Sequence, residues 1–289
     1  MIDLHTHSDE SDGSWSPARL IDEAQRLGLE GLAIADHDTL AGYDLVAESA
    51  RRRGLDLVCA TELSTVLTRR GKPPVRHVHV LGFFLGDPPP PGFRNWLESI
   101  HASRRDRNRR LAEKLRSLGL DVKAEEAEAL GRTVTRRPHF ARLLVQKGFV
   151  ATVEEAFARF LSDAAKAFVP RRVPSFEEAA EQILAAGALP VLAHPGRLIP
   201  GRLDRLEGLI RAMVEQGLKG LEAYHSDHTP ADTSQILGMA AAYGLAVTGG
   251  SDFHGEAKPG VEVGTGRAGN LAVPREILDR LRDFCSTHG

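Results

Sequence analysis

The chain begins with a short apolar run that leads directly into histidines and carboxylates. It reads MIDLHTHSDESDG, so His5, His7 and Asp12 closely follow the apolar Ile2 and Leu4. Imidazole and carboxylate together are ligands that Mn, Fe and Zn accept, although each side chain alone could simply bond to the backbone. The His-x-His pair is therefore a candidate metal site that needs more ligands from elsewhere in the chain.

Ionisable residues also follow other apolar runs of strand length. In chain order they are Asp36, His37, Asp38, Glu62, His79, His194, Asp252 and His254. If the runs are parallel strands, their carboxyl ends meet at one edge, so His5 and His254 share a pocket. Burying such a cluster is costly without a metal or a reaction to compensate. Because one ion takes roughly four to six ligands, the set predicts two or three divalent ions, with Glu62 as the bridging carboxylate.

The runs alternate with helical patterns, which predicts an α/β fold. Ser16 and Pro17 mark the start of the first helix and Gly28 marks its end. Repeating this unit gives seven candidate parallel strands at 2–4, 31–36, 55–62, 77–84, 188–195, 218–225 and 245–254. Seven strand and helix units favour a barrel over a doubly wound sheet.

One stretch of the chain has helical spacing without intervening strands. It predicts a helical insertion at 93–172 that caps the substrate, between two parts of a barrel domain at 1–92 and 173–289. The proline run at 87–92 is interpreted as a stiff linker. The basic run at 104–110 is interpreted as a solvated helix face.

Composition excludes several other classes of protein. The 37 Lys and Arg against 39 Asp and Glu give a net charge of −2, which supplies no overall field for a polyanion. Cys59 and Cys285 are too few for a disulfide framework. Neither a signal peptide nor an apolar run of membrane-spanning length is recognisable. We expect a cytoplasmic protein with no membrane contact and no obligatory protein partner.

Six motifs resemble those of the PHP superfamily, which is named for polymerase and histidinol phosphatase domains. They are DLHTHSDESDG, AIADHDT, TELS, HVLGFF, LAHPGR and GGSDFHG. The resemblance implies a distorted (β/α)7 TIM-like barrel that binds two or three divalent ions, Mn by resemblance, with Fe or Zn compatible. The implied ligands are His5, His7, Glu62 and Asp252 for one ion, Asp12, His37 and His254 for a second, and Glu62, His79 and His194 for a third. His77 competes with His79 for its position.

The sequence RPHFA at 137–141 resembles an element of the small stand-alone members of that family. Those members act on nucleoside 3′,5′-bisphosphates and on short RNA 5′ ends. The resemblance implies that Arg137 and His139 hold a phosphate at a helix start. The predicted substrate-binding residues are Arg137, His139, Lys166, Arg197, Tyr224 and His225. The predicted catalytic residues are Glu62, Asp252 and His225, the last of which would protonate the leaving oxygen.

The predicted function is a metal-dependent phosphoesterase. A metal-bridged hydroxide would remove the 3′-phosphate from nucleoside 3′,5′-bisphosphates, or cleave short 5′-phosphorylated RNA or DNA as a 5′-3′ exonuclease. The expected partner is accordingly a small nucleotide or a short oligonucleotide. Three alternatives remain open: a histidinol-phosphate-type monoesterase, a non-catalytic PHP binding module, and a metal-dependent amide hydrolase on a related barrel.

Overall fold

The centre of the fold is one sheet of seven strands in chain order, which nearly closes into a barrel. The computed structural model describes residues 1–67, 76–199 and 205–288. The strands are β1 Ile2–Thr6, β2 Gly31–Ile34, β3 Asp56–Leu67, β4 Arg76–Phe84, β5 Leu189–Leu192, β6 Gly220–His225 and β7 Ala246–Gly250. A bridge between Thr6 and Phe253 joins the two ends of the sheet. Gly250 permits this approach, because a Cβ atom there would lie 2.3 Å from the His5 nitrogen.

Helices surround the sheet. Ten are present in the described residues: α1 Pro17–Arg26, α2 Ala41–Arg52, α3 Pro91–Ser117, α4 Ala124–Glu128, α5 Arg137–Gln146, α6 Val153–Ala156, α7 Phe176–Ala185, α8 Leu206–Val214, α9 Pro230–Ala242 and α10 Arg275–His288. A π-helical turn, Phe157–Leu161, continues α6. Within the described ranges, no helix combines the length and the apolar character needed to cross a membrane.

Strand β4 runs opposite to both of its neighbours, so the prediction of seven parallel strands is wrong for this one. Strand β3 also continues to Leu67, past its predicted end at Glu62, and pairs with β4 as far as Arg76. The reason lies in the connection. A parallel crossover needs about a dozen or more residues, whereas 68–75, outside the described residues, is all that separates the two strands.

Side-chain alternation divides the barrel interior into an apolar floor and a polar mouth. On β3, the inward-facing Val58 and Ala60 precede Glu62, and on β4 the order is reversed, with His79 before Leu81 and Phe83. The antiparallel direction of β4 therefore places the first half of that strand at the mouth. At the opposite end of the barrel, helix α10 packs against the apolar floor.

Helices α3 to α6 lie between β4 and β5 in the chain, where the insertion is predicted. They have an apolar cluster of their own around Leu111, Leu115 and Phe140. The first turns of α3, by contrast, pack Phe93 and Leu97 against the outer layer of the barrel. The proline run serves as the start of α3 at Pro91. The limits 93 and 172 stay a prediction.

Replacing Phe83 tests how much the apolar floor of the barrel contributes to stability. Replacing this fully buried ring by alanine should cost about 3–5 kcal/mol of the free energy of unfolding, through lost burial and the cavity left behind. Leu45→Ala is the control, because Leu45 is exposed on α2 and its loss should cost less than about 0.5 kcal/mol. Urea unfolding of both variants measures the difference. Equal losses would contradict the packing described.

Candidate metal centre

Glu62 lies at the centre of the polar mouth. Its Oε1 atom is 2.8 Å from His79 Nδ1 and 2.9 Å from His194 Nε2. Its Oε2 atom is 3.1 Å from His7 Nε2 and 3.2 Å from His37 Nδ1. Both oxygens of one buried carboxylate thus face several imidazoles, which is the position that a bridging ligand requires.

The nine predicted metal ligands come together around Glu62. The groups whose donor atoms all lie within 4.8 Å of one another are His5, His7, Glu62 and Asp252; His7, Asp12, His37 and His254; and His37, Glu62 and His79. The first matches the prediction, and the second adds His7 to the predicted set. The third contains His37 where His194 was predicted, although His194 also reaches Glu62. The assignment of ligands to individual ions stays a prediction.

His77 and His79 differ clearly in their surroundings. His77 is exposed, and its Nε2 atom lies 3.8 Å from Asp163 on the insertion. His79 contacts Glu62, and its ring lies 5.2 Å from the ring of His194. Of the two, only His79 belongs to the cluster.

The donor atoms fit divalent cations. Among the described residues, His37 Nδ1, Asp12 Oδ1 and Glu62 Oε2 are buried and make no hydrogen bond of good geometry, although other cluster atoms lie near them. The Nε2 atoms of His5 and His7 also face each other at 3.1 Å. Nitrogen and oxygen donors suit Mn, Fe or Zn, and no thiolate joins them, since burial raises the pKa of Cys59.

The electrostatics keep the carboxylates of the cluster ionised. Burial acts to raise the pKa of Glu62, but His37, His79 and His5 hold it well below the usual range. The pKa of Asp252 is lowered well below its usual value in the same way, by His254 and His5 against burial. A buried, ionised carboxylate pair is a strong attractant for cations.

Three residues at the mouth have backbone angles that non-glycine residues rarely adopt. They are Asp38, His194 and Asp252, with φ of 58°, 32° and 54°. Each donates a hydrogen bond from its own backbone N–H. Asp38 donates to the Glu62 carbonyl at 3.0 Å, His194 to Glu222 Oε2 at 2.6 Å, and Asp252 to the His5 carbonyl at 2.7 Å. Such strain persists where the surroundings determine the conformation, as they do here.

Two further buried carboxylates contact the candidate ligands or the turn that carries them. Asp36 accepts hydrogen bonds from the Ser8 backbone N–H at 2.7 Å and the Ser11 hydroxyl at 2.6 Å, which orders the turn leading to Asp12. Glu222 lies 2.8 Å from His5 Nδ1. Glu222 was missed from the sequence, although a single carboxylate inside the apolar run Leu221-Glu222-Ala223 is a signal for a buried, paired charge.

His225 enters the mouth, but Tyr224 does not, which corrects the prediction that both line the substrate site. A shift in strand register between Glu222 and Tyr224 turns the chain. His225 Nε2 then lies 3.6 Å from Asp252 Oδ2, while Tyr224 packs against the apolar clusters of the barrel. His225 Nδ1 accepts the Asp227 backbone N–H at 3.0 Å, so the neutral ring carries its proton on Nε2.

A cavity of about 550 Å³ adjoins the cluster and is rich in arginine. Its cationic residues are Arg104, Arg107, Arg136, Arg137 and Arg171. Two aromatic rings, Phe157 and Phe168, also line it, and His79 lies at its boundary with the candidate metal ligands. The interpretation of the basic run as a solvated helix face is wrong for Arg104 and Arg107, which are 4% and 5% exposed.

Of the predicted phosphate-binding residues of the insertion, one lines this cavity and two do not. Arg137 lines it, with its guanidinium bonded to Asp163 at 2.6 Å. His139 is buried elsewhere, because its Nδ1 atom accepts the Arg136 backbone N–H at 2.9 Å and so caps α5. Lys166 is exposed and does not line the cavity. The predicted roles of His139 and Lys166 are corrected accordingly.

Two cationic side chains lie at the edge of the candidate metal ligands, next to Asp252. Arg197 Nη1 is 2.7 Å and Lys258 Nζ is 2.8 Å from Asp252 Oδ2. Arg197 is a predicted substrate-binding residue, and it lines the mouth, where its binding role stays a prediction. Lys258 was missed, since it lies several residues beyond the motif that contains Asp252 and His254.

A barrel mouth with clustered imidazoles and carboxylates, flanked by cationic side chains, defines a metal-assisted hydrolase for anionic substrates. The chain belongs to the PHP domain family, whose model matches residues 3–185.

Known proteins resemble this chain over most of its length. It is 33% identical over 270 residues to a 3′,5′-nucleoside bisphosphate phosphatase from Chromobacterium violaceum, covering 91% of this chain and 90% of that protein. It is 34% identical over 253 residues to a 5′-3′ exoribonuclease from Haemophilus influenzae, covering 87% of this chain and 89% of that protein. A solved structure from Bifidobacterium adolescentis, assigned as a metal-dependent phosphoesterase, matches with a TM-score of 0.80 at 34% identity. The match covers 98% of this chain and 96% of that chain. The predicted family, fold class and hydrolysis of phosphate esters are confirmed.

The two candidate histidines of β4 should differ in metal binding. His79→Asn removes a donor beside Glu62 and should weaken Mn binding more than about tenfold, whereas His77→Asn should change it less than about twofold. Equilibrium dialysis followed by metal analysis measures both variants. A larger loss of Mn binding in His77→Asn than in His79→Asn would show that His77, and not His79, is the ligand.

His139 should make stability fall in mild acid. Burial, with Arg142 nearby, lowers the pKa of His139 to about 4, against about 6.5 in an unfolded chain. Its contribution to stability is therefore complete above pH 6.5 and is lost as the pH falls towards 4, by at most about 1.4 kcal/mol per pH unit.

The matched variant is His139→Gln. Glutamine does not titrate, and it is a usual residue for this capping position, so the bond to Arg136 can be kept. Urea unfolding at pH 7.5, 6 and 5, in the presence of a chelator, should show a shallower loss of stability for His139→Gln than for the parent. Parallel pH curves would rule out titration of His139.

Proposed function

We propose that this phosphoesterase removes the 3′-phosphate from nucleoside 3′,5′-bisphosphates and, by the same chemistry, cleaves short 5′-phosphorylated RNA or DNA from the 5′ end. The arginine cavity beside the metal cluster is the observation that carries the proposal. The binding partner of the protein would be its substrate, a small nucleotide or a short oligonucleotide. The names of two relatives, a bisphosphate phosphatase and a 5′-3′ exoribonuclease, support the same choice of substrate.

The cavity holds positive charge that the protein itself does not balance. Arg107 and Arg171 have no carboxylate within ion-pair distance among the described residues, and Arg107 Nε also lacks a hydrogen-bond partner there. Burial and the neighbouring arginines lower the pKa of Arg107 to about 9. A phosphate group bound in the cavity would supply the missing negative charge.

The relative position of the cavity and the cluster favours a substrate with two anionic groups. His79 lines both spaces, so a molecule can place one phosphate among the arginines and another at the metal ligands. Phe157 and Phe168 offer ring faces for a nucleobase, a contact that tolerates any base. We propose that the insertion, 93–172, closes over this substrate.

We assign the nine residues of the cluster as ligands of two or three divalent ions, with Mn as the first choice and Fe or Zn compatible. Bound there, the ions would supply activated water at neutral pH and neutralise charge on the phosphoryl oxygens. Glu62 and Asp252 hold the ligand geometry. The His225 Nε2–H group lies beside Asp252 and can donate a hydrogen bond to the leaving oxygen, which would stabilise the charge that develops there. Arg197 and Lys258 add positive charge at the same edge.

A substrate panel tests the proposal. With Mn added, the panel measures phosphate release from 3′,5′-bisphosphonucleotides, mononucleotides and histidinol phosphate. It also measures mononucleotide release from 5′-phosphorylated oligonucleotides and amine release from an acylated amine. We expect the bisphosphonucleotides and oligonucleotides to react fastest. Preference for histidinol phosphate would indicate the monoesterase, and reaction of the amide alone would indicate an amidohydrolase. Inert, metal-free protein would indicate a binding module.

Arg171 should determine the preference for a second phosphate. Arg171→Gln should lower kcat/KM for a 3′,5′-bisphosphonucleotide roughly 10- to 100-fold, as expected for one lost charged hydrogen bond, and change that for a monophosphate less than about threefold. Arg172→Gln is the control, because Arg172 is the exposed next residue and pairs with Glu178. Equal effects on both substrates would place the second phosphate elsewhere.

A further inference from the structure

Glu222 is a buried carboxylate with each oxygen committed to a different part of the cluster. One oxygen lies 2.8 Å from His5 Nδ1, and the other accepts the His194 backbone N–H at 2.6 Å. The side chain is fully buried on β6, between β5 and β7. The hydrolytic chemistry proposed above does not use this residue. We infer that Glu222 is a positioning residue that prepares His5 and His194 together for metal binding.

The first part of the argument concerns the imidazole of His5. An ionised carboxylate only accepts hydrogen bonds, so His5 Nδ1 must carry a proton towards Glu222. The other nitrogen, Nε2, can then offer its lone pair to a cation. That atom faces the cluster, 3.1 Å from His7 Nε2, 3.3 Å from Glu62 and 3.5 Å from Asp252. Glu222 thereby selects the form of His5 that can act as a ligand.

The second part concerns the backbone at His194. This residue has φ of 32° and ψ of 57°, which is costly for a side chain with a Cβ atom. The bond from its N–H to Glu222 helps to hold that conformation, and the conformation directs the ring towards Glu62, where Nε2 is 2.9 Å from Oε1. One carboxylate therefore arranges two ligands, one on β1 and one just after β5.

Glu222→Gln keeps the shape of the side chain and the hydrogen bond from the His194 N–H, but it changes the contact with His5 Nδ1. The His194 N–H can only donate, so it binds the amide oxygen, and the amide NH2 group must face His5. An NH2 group donates to Nδ1, which moves the ring proton to Nε2, the atom required for the metal. We expect Zn²⁺ affinity at one site to fall about 10- to 100-fold.

Thr248→Val is the matched control. Thr248 lies directly opposite Glu222 on β7, is fully buried, and its hydroxyl lacks a hydrogen-bond partner among the described residues. The valine variant disturbs the same strand pair without touching His5, so its Zn²⁺ affinity should stay within about twofold of the parent. Equal weakening in both variants would indicate general loosening of the barrel and overturn the inference.

The experiment is Zn²⁺ titration calorimetry of the full chain without substrate, with circular dichroism to check folding. An unchanged affinity in folded Glu222→Gln overturns the inference. A double variant gives a second measure: in a His5→Asn background, Glu222→Gln should have no further effect, whereas an additive loss would contradict a role through His5.

One measurement needs no variant and stays decisive if Glu222→Gln fails to fold. In the zinc-loaded parent, histidine-detected ¹H–¹⁵N spectra should show His5 with a protonated Nδ1 and a zinc-bound Nε2. Coordination through Nδ1 would overturn the inference. The inference rests on the proposed metal-dependent function, but all these readouts are independent of catalysis. A protein that binds zinc as expected and releases no phosphate would reject the proposed substrates alone.

Discussion

The surroundings of Glu62 are the constraint on which the rest of the site depends. Five imidazoles lie within 3.3 Å of its carboxylate, from His5, His7, His37, His79 and His194. A buried carboxylate is tolerated only where positive charge or hydrogen-bond donors surround it. The ends of three strands, β1, β2 and β5, and the interior of β4 must therefore deliver side chains to the same point. Closure of the sheet into a barrel meets this requirement, because it brings β1 to β5 to one mouth.

The reversed strand β4 has consequences for both the cluster and the substrate. It brings His79 to the mouth from the first half of a strand. The β3–β4 pair also continues beyond the mouth, where Ser64, Val66 and His77 line the arginine cavity. The same hairpin thus supplies a candidate metal ligand and one wall of the candidate substrate site. The insertion supplies the opposite wall through α3 and α5.

Much of this arrangement could be predicted from local sequence. Apolar runs with His, Asp or Glu at or near their ends predicted the barrel and a set of ionisable residues at its mouth, because strand periodicity and ligand chemistry are local properties. The choice of nine of these residues as candidate ligands came from the resemblance to the PHP superfamily. The direction of β4 was not visible in its hydropathy and follows only from the short connection before it. Tyr224 was misplaced because a register shift leaves no clear mark in composition. His139 was misassigned because a histidine at a helix start can cap the helix as well as bind an anion.

The burial of Arg104 and Arg107 shows where sequence reasoning reaches its limit, since a run of arginines on a helix normally faces water. Here the helix passes over the mouth, and opposite charges meet at its edge, where Arg136 lies 2.7 Å from Asp12 and Arg104 bonds to Asp38. These contacts couple the two halves of the site. A cation that binds Asp12 competes with Arg136 for the carboxylate, which leaves more of the arginine's charge for an anion in the cavity. By linkage, an anion there must strengthen cation binding by the same factor. If both clusters bind their ligands as proposed, they would function as one site.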